Sequence, residues 1–257
     1  MKRMFLAAVA ILFLAAATSC HKKPAAPATP KPAAHSKAPE QKKPGAPEKP
    51  AAPGSAKITP YEDVNSSADK VIEKYYPRVS GLGDPAVETA INTAIEQAAG
   101  MNAKTRMLME DKEYNPQFTS QAKVTYNRNG ILSLSVFQTF TAEGMPNESY
   151  IQTSRTFRLE DGAQLALADL FAPHTDWAAR IDSAMRNRVA ADNIHLLREY
   201  EGIAAPGDKS GFYLTDDGIA LYYQIYDYTS YMDGFLEVTI PWSAVQDILA
   251  APLQQAS

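Results

Sequence analysis

Proline is crowded into one stretch of this chain. More than half of the eighteen prolines fall between Pro24 and Pro60. Around them stand little but alanine and lysine, with no apolar periodicity. Such a stretch has no burial to offset the entropy of ordering. Residues 21–57 are therefore expected to be a disordered Pro/Ala/Lys tether. Wholly extended, at ~3.1 Å per residue, it would reach on the order of 100 Å. Everything that folds must lie after it, in residues 58–257, a length that can bury a sizeable core.

Ahead of the tether, Lys2 and Arg3 precede an apolar run from Met4 to Ala17, which ends at Thr18, Ser19 and Cys20. A basic start, a short apolar stretch and small residues describe a secretory signal over residues 1–20. The run is too short for a membrane-spanning helix, which needs roughly 20 apolar residues. Ala15-Ala16-Ala17 also fits ordinary signal cleavage. Ala17-Thr-Ser-Cys20 looks like a bacterial lipobox, in which the cysteine thiol takes a diacylglycerol and becomes the mature N-terminus. Cys20 is thus the candidate lipidation residue, and membrane lipid the first expected partner. The expected location is the cell envelope. That means the outer membrane facing the periplasm in an organism that has one, and otherwise the outer face of the plasma membrane. Cys20 is the chain's single cysteine, so no intramolecular disulfide can form, and a thiolate metal site is excluded.

Charge divides the chain at the same boundary. The spacer's eight lysines outnumber Glu40 and Glu48 by six. With that surplus, Lys2 and Arg3 removed from a whole-chain net of −4, residues 58–257 carry −12. A domain of that sign argues against nucleic acid and suits either solubility or a basic partner.

Within the folded part, Asp84 can cap a helix over residues 85–102, and Pro85 suits its first position. Val87, Ala90, Ile91, Ala94, Ile95 and Ala98 give that helix an apolar stripe. A second helix is expected over residues 175–190, and a short last one from Pro241 that buries Trp242, Val245, Ile248 and Leu249. Strands are expected at Lys70–Val79, Gln121–Tyr126, Ile131–Phe140, Tyr150–Leu159, Phe212–Leu214, Ile219–Tyr228 and Phe235–Ile240. Asn127-Arg-Asn-Gly130 reads as a hairpin turn with glycine where positive φ is needed. Hairpin-spaced strands with helices between groups indicate an α+β fold: a largely antiparallel sheet with packed helices.

The search for chemistry yields no catalytic candidate. His174 and His195 lack metal-ligand spacing, so neither a metal nor a cofactor is expected. No Gly-x-Ser-x-Gly elbow occurs. Asp216-Asp217-Gly218 and Glu160-Asp161-Gly162 read as turns. An envelope-polymer hydrolase would need two carboxyl groups about 5–10 Å apart across a cleft, which sequence cannot test. The suggestive segment is Leu221 to Gly234. As a strand it would put Leu221, Tyr223 and Ile225 on one side and Tyr222, Gln224, Tyr226 and Tyr228 on the other, with Tyr231 and Met232 in a loop. Tyrosine gives a stiff contact surface with a polar tip, suited to proteins or sugar rings, and it also covers sheet rims structurally. Tyr222, Tyr226, Asp227, Tyr228, Tyr231 and Asp233 are the candidate partner-binding residues, the aspartates being suited to a basic partner.

An ordered series of segments carries a resemblance. It comprises Tyr76-Pro77-Arg-Val-Ser-Gly81; Val87 with Ile91-Asn92; Leu167-Ala-Asp-Leu-Phe171; and Phe212-Tyr-Leu-Thr-Asp-Asp-Gly218-Ile-Ala-Leu-Tyr-Tyr223. Tyr226, Gly234 and Val238-Thr-Ile-Pro241 complete it. The series resembles a pair of adjoining domains of unknown function. They form the extracellular part of the lysozyme-sensing anti-sigma-V factor and precede the catalytic domain of a peptidoglycan deacetylase. The resemblance spans roughly residues 58–250, with parts at approximately 58–160 and 161–250. It implies an α+β fold facing the cell wall and, in one branch, direct binding of lysozyme. It carries over no catalytic residue, because the deacetylase activity belongs to a different domain. Many relatives have a Gly-Gly-Ala-His-like turn in the middle hairpin, where this chain has Gly144-Met-Pro-Asn-Glu-Ser149. The expectation is a non-enzymatic envelope module that binds a lysozyme-like basic protein, with peptidoglycan as the alternative partner.

Overall fold

The computed structural model describes residues 54–205 and 208–254. The signal, Cys20 and most of the expected tether lie outside the described residues. The fold is α+β. A five-stranded sheet runs in order β1 (Lys57–Ser67), β2 (Lys70–Ser80), β3 (Gln117–Arg128), β4 (Ile131–Thr141) and β5 (Ser149–Arg158). Neighbours are antiparallel except β2 and β3, which are parallel and joined through α1 (Pro85–Ala99) and α2 (Ala103–Leu108). After α3 (Trp177–Ala191) comes an antiparallel three-stranded sheet of β6 (Gly211–Leu214), β7 (Gly218–Tyr223) and β8 (Leu236–Pro241). The last described helix is α4 (Ala251–Gln254).

The expected spacer ends at Lys57, yet the structure takes Lys57 into β1 and buries Ala56. The cause is Asn127, whose side-chain amide accepts from the Ala56 N–H at 2.9 Å and donates to its carbonyl at 2.8 Å. β1 itself has little apolar pattern and contains Pro60, as suits an edge strand, and the sequence reading missed it. Pro77 stands inside β2, but β3 pairs with β2 only as far as Tyr75. Beyond that point the edge is open, and there Asn92 from α1 takes both the N–H and the carbonyl of Val79, at 2.8 and 2.9 Å. Pro77 has the same strand parity as Val79, so its missing N–H falls on that open side.

α1 starts as expected, with Asp84 Oδ1 accepting from the Ala86 N–H and Pro85 in the first turn. It stops three residues early. Gly100 caps it, and Asn102 begins α2 by accepting from the Thr105 N–H. The final expected helix is instead two 3-10 turns, Trp242–Ala244 and Gln246–Ile248, followed by α4. Trp242, Val245 and Leu249 are buried as expected, and Ile248 packs against the core half-buried. The β3–β4 hairpin turns at Asn129 (φ 55°) and Gly130 (φ 73°), as the Asn-Gly pair requires.

One face of the large sheet, with Leu132, Leu134, Val136 and Phe157, packs on Ile91 and Ile95 of α1. The small sheet packs Ile219, Leu221 and Val238 with Ile181 and Met185 of α3. The two sheets meet through hydroxyls. The Leu214 N–H donates to Ser133 Oγ at 2.9 Å, and Ser154 Oγ donates to the Phe212 carbonyl at 2.5 Å. The free edge of β6 is thus satisfied by serines on the second face of the large sheet. Gly211 completes the junction. A Cβ there would lie 2.1 Å from Tyr222 Cζ, so only glycine lets the Tyr222 ring cross β6 and reach Ser154 Oγ, 3.0 Å away.

Candidate binding surface

The Tyr–Asp segment is not one strand. β7 ends at Tyr223, and Gln224 turns its side chain to the edge of β5, accepting from the Gln152 N–H at 3.1 Å and donating to its carbonyl at 2.7 Å. Tyr226 follows with φ 74°, a left-handed conformation that ends any strand. The expected strand Ile219–Tyr228 is therefore corrected to Gly218–Tyr223, and with it the placement of Tyr226 and Tyr228 on one face with Tyr222.

The six candidate residues separate. Tyr222 is 3% exposed and lies at the sheet junction. Tyr228 is also 3% exposed and packs edge-on against Tyr223, with ring centroids 4.8 Å apart, and beside Tyr200. Arg198 covers its ring at 4.3 Å. Asp227 closes its own turn by accepting from the Gln224 N–H at 3.0 Å, and lies 3.8 Å from Lys209 Nζ. Asp233 does the same one turn later, accepting from the Ser230 N–H and hydroxyl. Tyr226 projects outward at 68% exposure, and Met232 at 58%.

Tyr231 joins residues that the sequence reading did not connect with it. Its ring stacks on Tyr150 of β5 at 5.9 Å, and Tyr150 stacks on Phe137 of β4 at 5.7 Å. Phe137 meets Phe235 edge-on at 5.9 Å. These four half-exposed rings form a ladder from the 226–235 loop across the end of the large sheet. The Gly144–Ser149 turn anchors it. The Tyr150 hydroxyl donates to the Glu148 carboxylate at 2.6 Å, and the Tyr231 hydroxyl to the Glu148 carbonyl at 3.2 Å. That carboxylate, with burial second, holds the Tyr150 phenol well above its ordinary pKa. Glu237 lies at the same end, accepting from Gln152 Nε2 and the Tyr213 hydroxyl. Among the described residues, no ion pair uses Glu148, Asp233 or Glu237. The ladder is thus an aromatic platform with an uncompensated acidic rim. Sequence periodicity could not pair Phe137 with Tyr150 and Tyr231, because the contact depends on register across three segments.

Elsewhere, Asp161 is held at about 2 by the Arg158 guanidinium and the Ala163 N–H. Asp247 is lowered by Arg180. Each is the acceptor in a structural hydrogen bond. His174 and His195 are both exposed, and among the described residues no cluster of His, Cys, Asp and Glu could hold a metal ion. No described helix is long and apolar enough to cross a membrane.

Residues 168–243, from the 3-10 turn before α3 to the 3-10 turn after β8, match a protein family of unknown function, DUF3298. A solved member of that family from Bacteroides fragilis is similar with a TM-score of 0.56 at 18% identity, over 78% of this chain and 96% of its own. A DUF3298 family protein from Pseudomonas aeruginosa gives 0.55 at 14% identity, over 77% and 95%. At such identities the likeness shows the fold alone. No curated protein matches. The matched stretch contains Tyr231 and Phe235 of the ladder, while Phe137 and Tyr150 lie outside it.

Proposed function

We propose that this chain is a lipid-anchored envelope protein whose folded part is a non-enzymatic binding module for a basic, lysozyme-like protein. The observation that carries this reading is the ladder Phe235–Phe137–Tyr150–Tyr231 with its acidic rim. Its rings are held by one another and by Glu148, so little rotamer entropy is lost when a partner covers them. Tyrosine and phenylalanine supply large apolar area at such contacts. Glu148, Asp233 and Glu237, on a domain of −12, would steer a cation-rich partner toward the rings. The resemblance to lysozyme-sensing domains names the candidate. This chain differs from many relatives at the Gly144–Ser149 turn, which here builds the ladder, so its preferred partner is expected to differ in detail.

Calorimetric titration of the purified protein with lysozyme tests this. The expected result is micromolar or tighter binding that weakens as salt rises, and about tenfold weaker binding for Tyr231→Ala. Absence of salt-dependent binding at micromolar protein rejects it. The second reading, a peptidoglycan-binding module, rests on the exposed Tyr226 ring, whose face is open to stack on a sugar. Co-sedimentation with purified peptidoglycan that is lost in Tyr226→Ala and Tyr231→Ala would favour it. Retention by both variants removes this surface from that role.

A further inference from the structure

The outer edge of β5 is capped on either side of Ser154. In an antiparallel pair, alternate residues turn both backbone groups away from the partner strand. Along β5 these are Tyr150, Gln152, Ser154, Thr156 and Arg158. Gln224 takes both groups of Gln152. The Leu165 N–H donates to the Thr156 carbonyl at 2.8 Å, and the Arg158 N–H to the Ala163 carbonyl at 2.9 Å. Between these caps lies Ser154. Its carbonyl accepts from Arg155 Nη1 at 2.7 Å. By the same alternation, its N–H points off the sheet edge into a cleft.

That cleft has a volume of about 570 Å³, within the range that holds a small ligand. One wall is apolar, formed by Leu165, Leu167, Trp177, Ile203 and Phe212. Arg155, Lys209 and the hydroxyl pair of Ser154 and Tyr222 also line it. Two features mark it as a site rather than a crevice. Arg155 makes no ion pair with any described residue, although the domain is rich in carboxylates. Thr153 Oγ1, beside it, is buried with no hydrogen-bond partner among the described residues. A buried hydroxyl without a partner calls for an explanation, and a bound polar group is one that fits beside an unpaired guanidinium. The cleft's one carboxylate is already engaged: Asp208 accepts from the Tyr223 hydroxyl at 3.0 Å and from the Ser210 hydroxyl at 2.6 Å.

We propose that this cleft binds a small amphipathic carboxylate, its charged end on Arg155 and the Ser154 N–H and its apolar end against Trp177 and Leu165. A guanidinium and a backbone N–H on one side suit the two oxygens of a carboxylate. Caps on Gln152 and on the Thr156 carbonyl flank Ser154 closely, so the gap takes a single acceptor group and not an added strand. The site stands apart from the aromatic ladder and does not depend on it.

Nuclear magnetic resonance titration of the full chain tests the assignment. The probes are N-acetyl-Leu-Leu with a free C-terminus, the same peptide as its C-terminal amide, and octanoate. A free carboxylate should shift the Ser154 amide and the Trp177 indole signals. Whichever of the peptide acid and octanoate binds tighter tells a peptide terminus from a simple acyl acid. The peptide amide should bind about tenfold more weakly or worse. Arg155→Gln should lower carboxylate affinity by about tenfold, with Lys209→Gln as a second variant of smaller effect and the spectrum's dispersion reporting the fold. Equal binding of peptide acid and amide, shifts that map away from Ser154, or unchanged affinity in Arg155→Gln would overturn it.

Discussion

The tyrosines of the Leu221–Gly234 segment do different work according to how each is buried. Tyr222 and Tyr223 point to opposite faces of β7, as period two requires, yet neither reaches solvent because both faces are covered. Burial is the first cause that holds Tyr200, Tyr213, Tyr222 and Tyr223 above the ordinary phenol pKa. The sign follows directly. A raised folded pKa means the folded state keeps the proton, so these residues' contribution is fully present below the ordinary value near 10 and is lost as pH rises through the folded value. The expected outcome is alkaline unfolding, with these four phenols ionising only in concert with loss of tertiary structure. Absorbance at 295 nm and near-ultraviolet circular dichroism, followed on one sample, check it. Ionisation of all four with the dichroism intact would refute the burial account. Their separate fates were only partly legible in the sequence. Alternation correctly put Tyr222 and Tyr223 on opposite faces. The positive φ of Tyr226 has no composition cue in a bulky residue, and without it alternation extends the strand to Tyr228, which lies in the loop after β7. Asp227 and Asp233 did carry a cue: aspartates close to Gln224 and Ser230 amides are turn acceptors before they are ligands.

Three amide side chains act here as one-residue strands. Asn127 serves Ala56, Asn92 serves Val79, and Gln224 serves Gln152, each satisfying an N–H and a carbonyl at a strand edge. This device explains which elements could be read in advance. β3, β4 and β5 carry apolar alternation over a helix; the expected ends of β4 and β5 lie within one residue of the observed ones, while β3 starts four residues earlier and ends two later than expected. β1 is held by pairing with β2 and by Asn127 rather than by an apolar face, so it left no pattern to find. α1 was overextended because apolar residues continue past Gly100, while the break depends on Gly100 and on the Asn102 cap. Asn92 is the most demanding of the three amides, since Val79 is 2% exposed. Replacing Asn92 by Ala leaves a buried N–H and carbonyl without partners and loosens α1 from β2. A loss of about 1–3 kcal/mol is expected. Urea unfolding measures the total, and hydrogen exchange at the Val79 amide should speed up more than that at β4 amides. Equal protection at both sites, with unchanged stability, would mean that Asn92 holds nothing.

At the scale of the whole chain, an acidic domain follows a lysine-rich segment and a candidate lipid site at Cys20. Two attachments compete to explain any membrane association. The spacer's surplus of six positive charges would attract anionic headgroups, an attraction of about 1 kcal/mol per basic residue near the surface. A diacylglycerol on Cys20 would add about 0.8 kcal/mol per buried methylene over two or more chains, which amounts to stable attachment. Salt separates them. At about 1 M the screening length shrinks to roughly 3 Å, so the charge attraction collapses while the acyl chains stay buried. If Cys20 is lipidated, the full chain remains in the membrane pellet through a high-salt wash and is released by detergent. Cys20→Ser should then move to the soluble extracytoplasmic fraction even at low salt, because lysines without acyl chains hold only loosely. A full chain that washes off in salt would reject the lipid and leave the lysines as the attachment. A Cys20→Ser protein that stays in the pellet through salt would reject Cys20 as the anchor, and with it the picture of an acidic module displayed from a lipid.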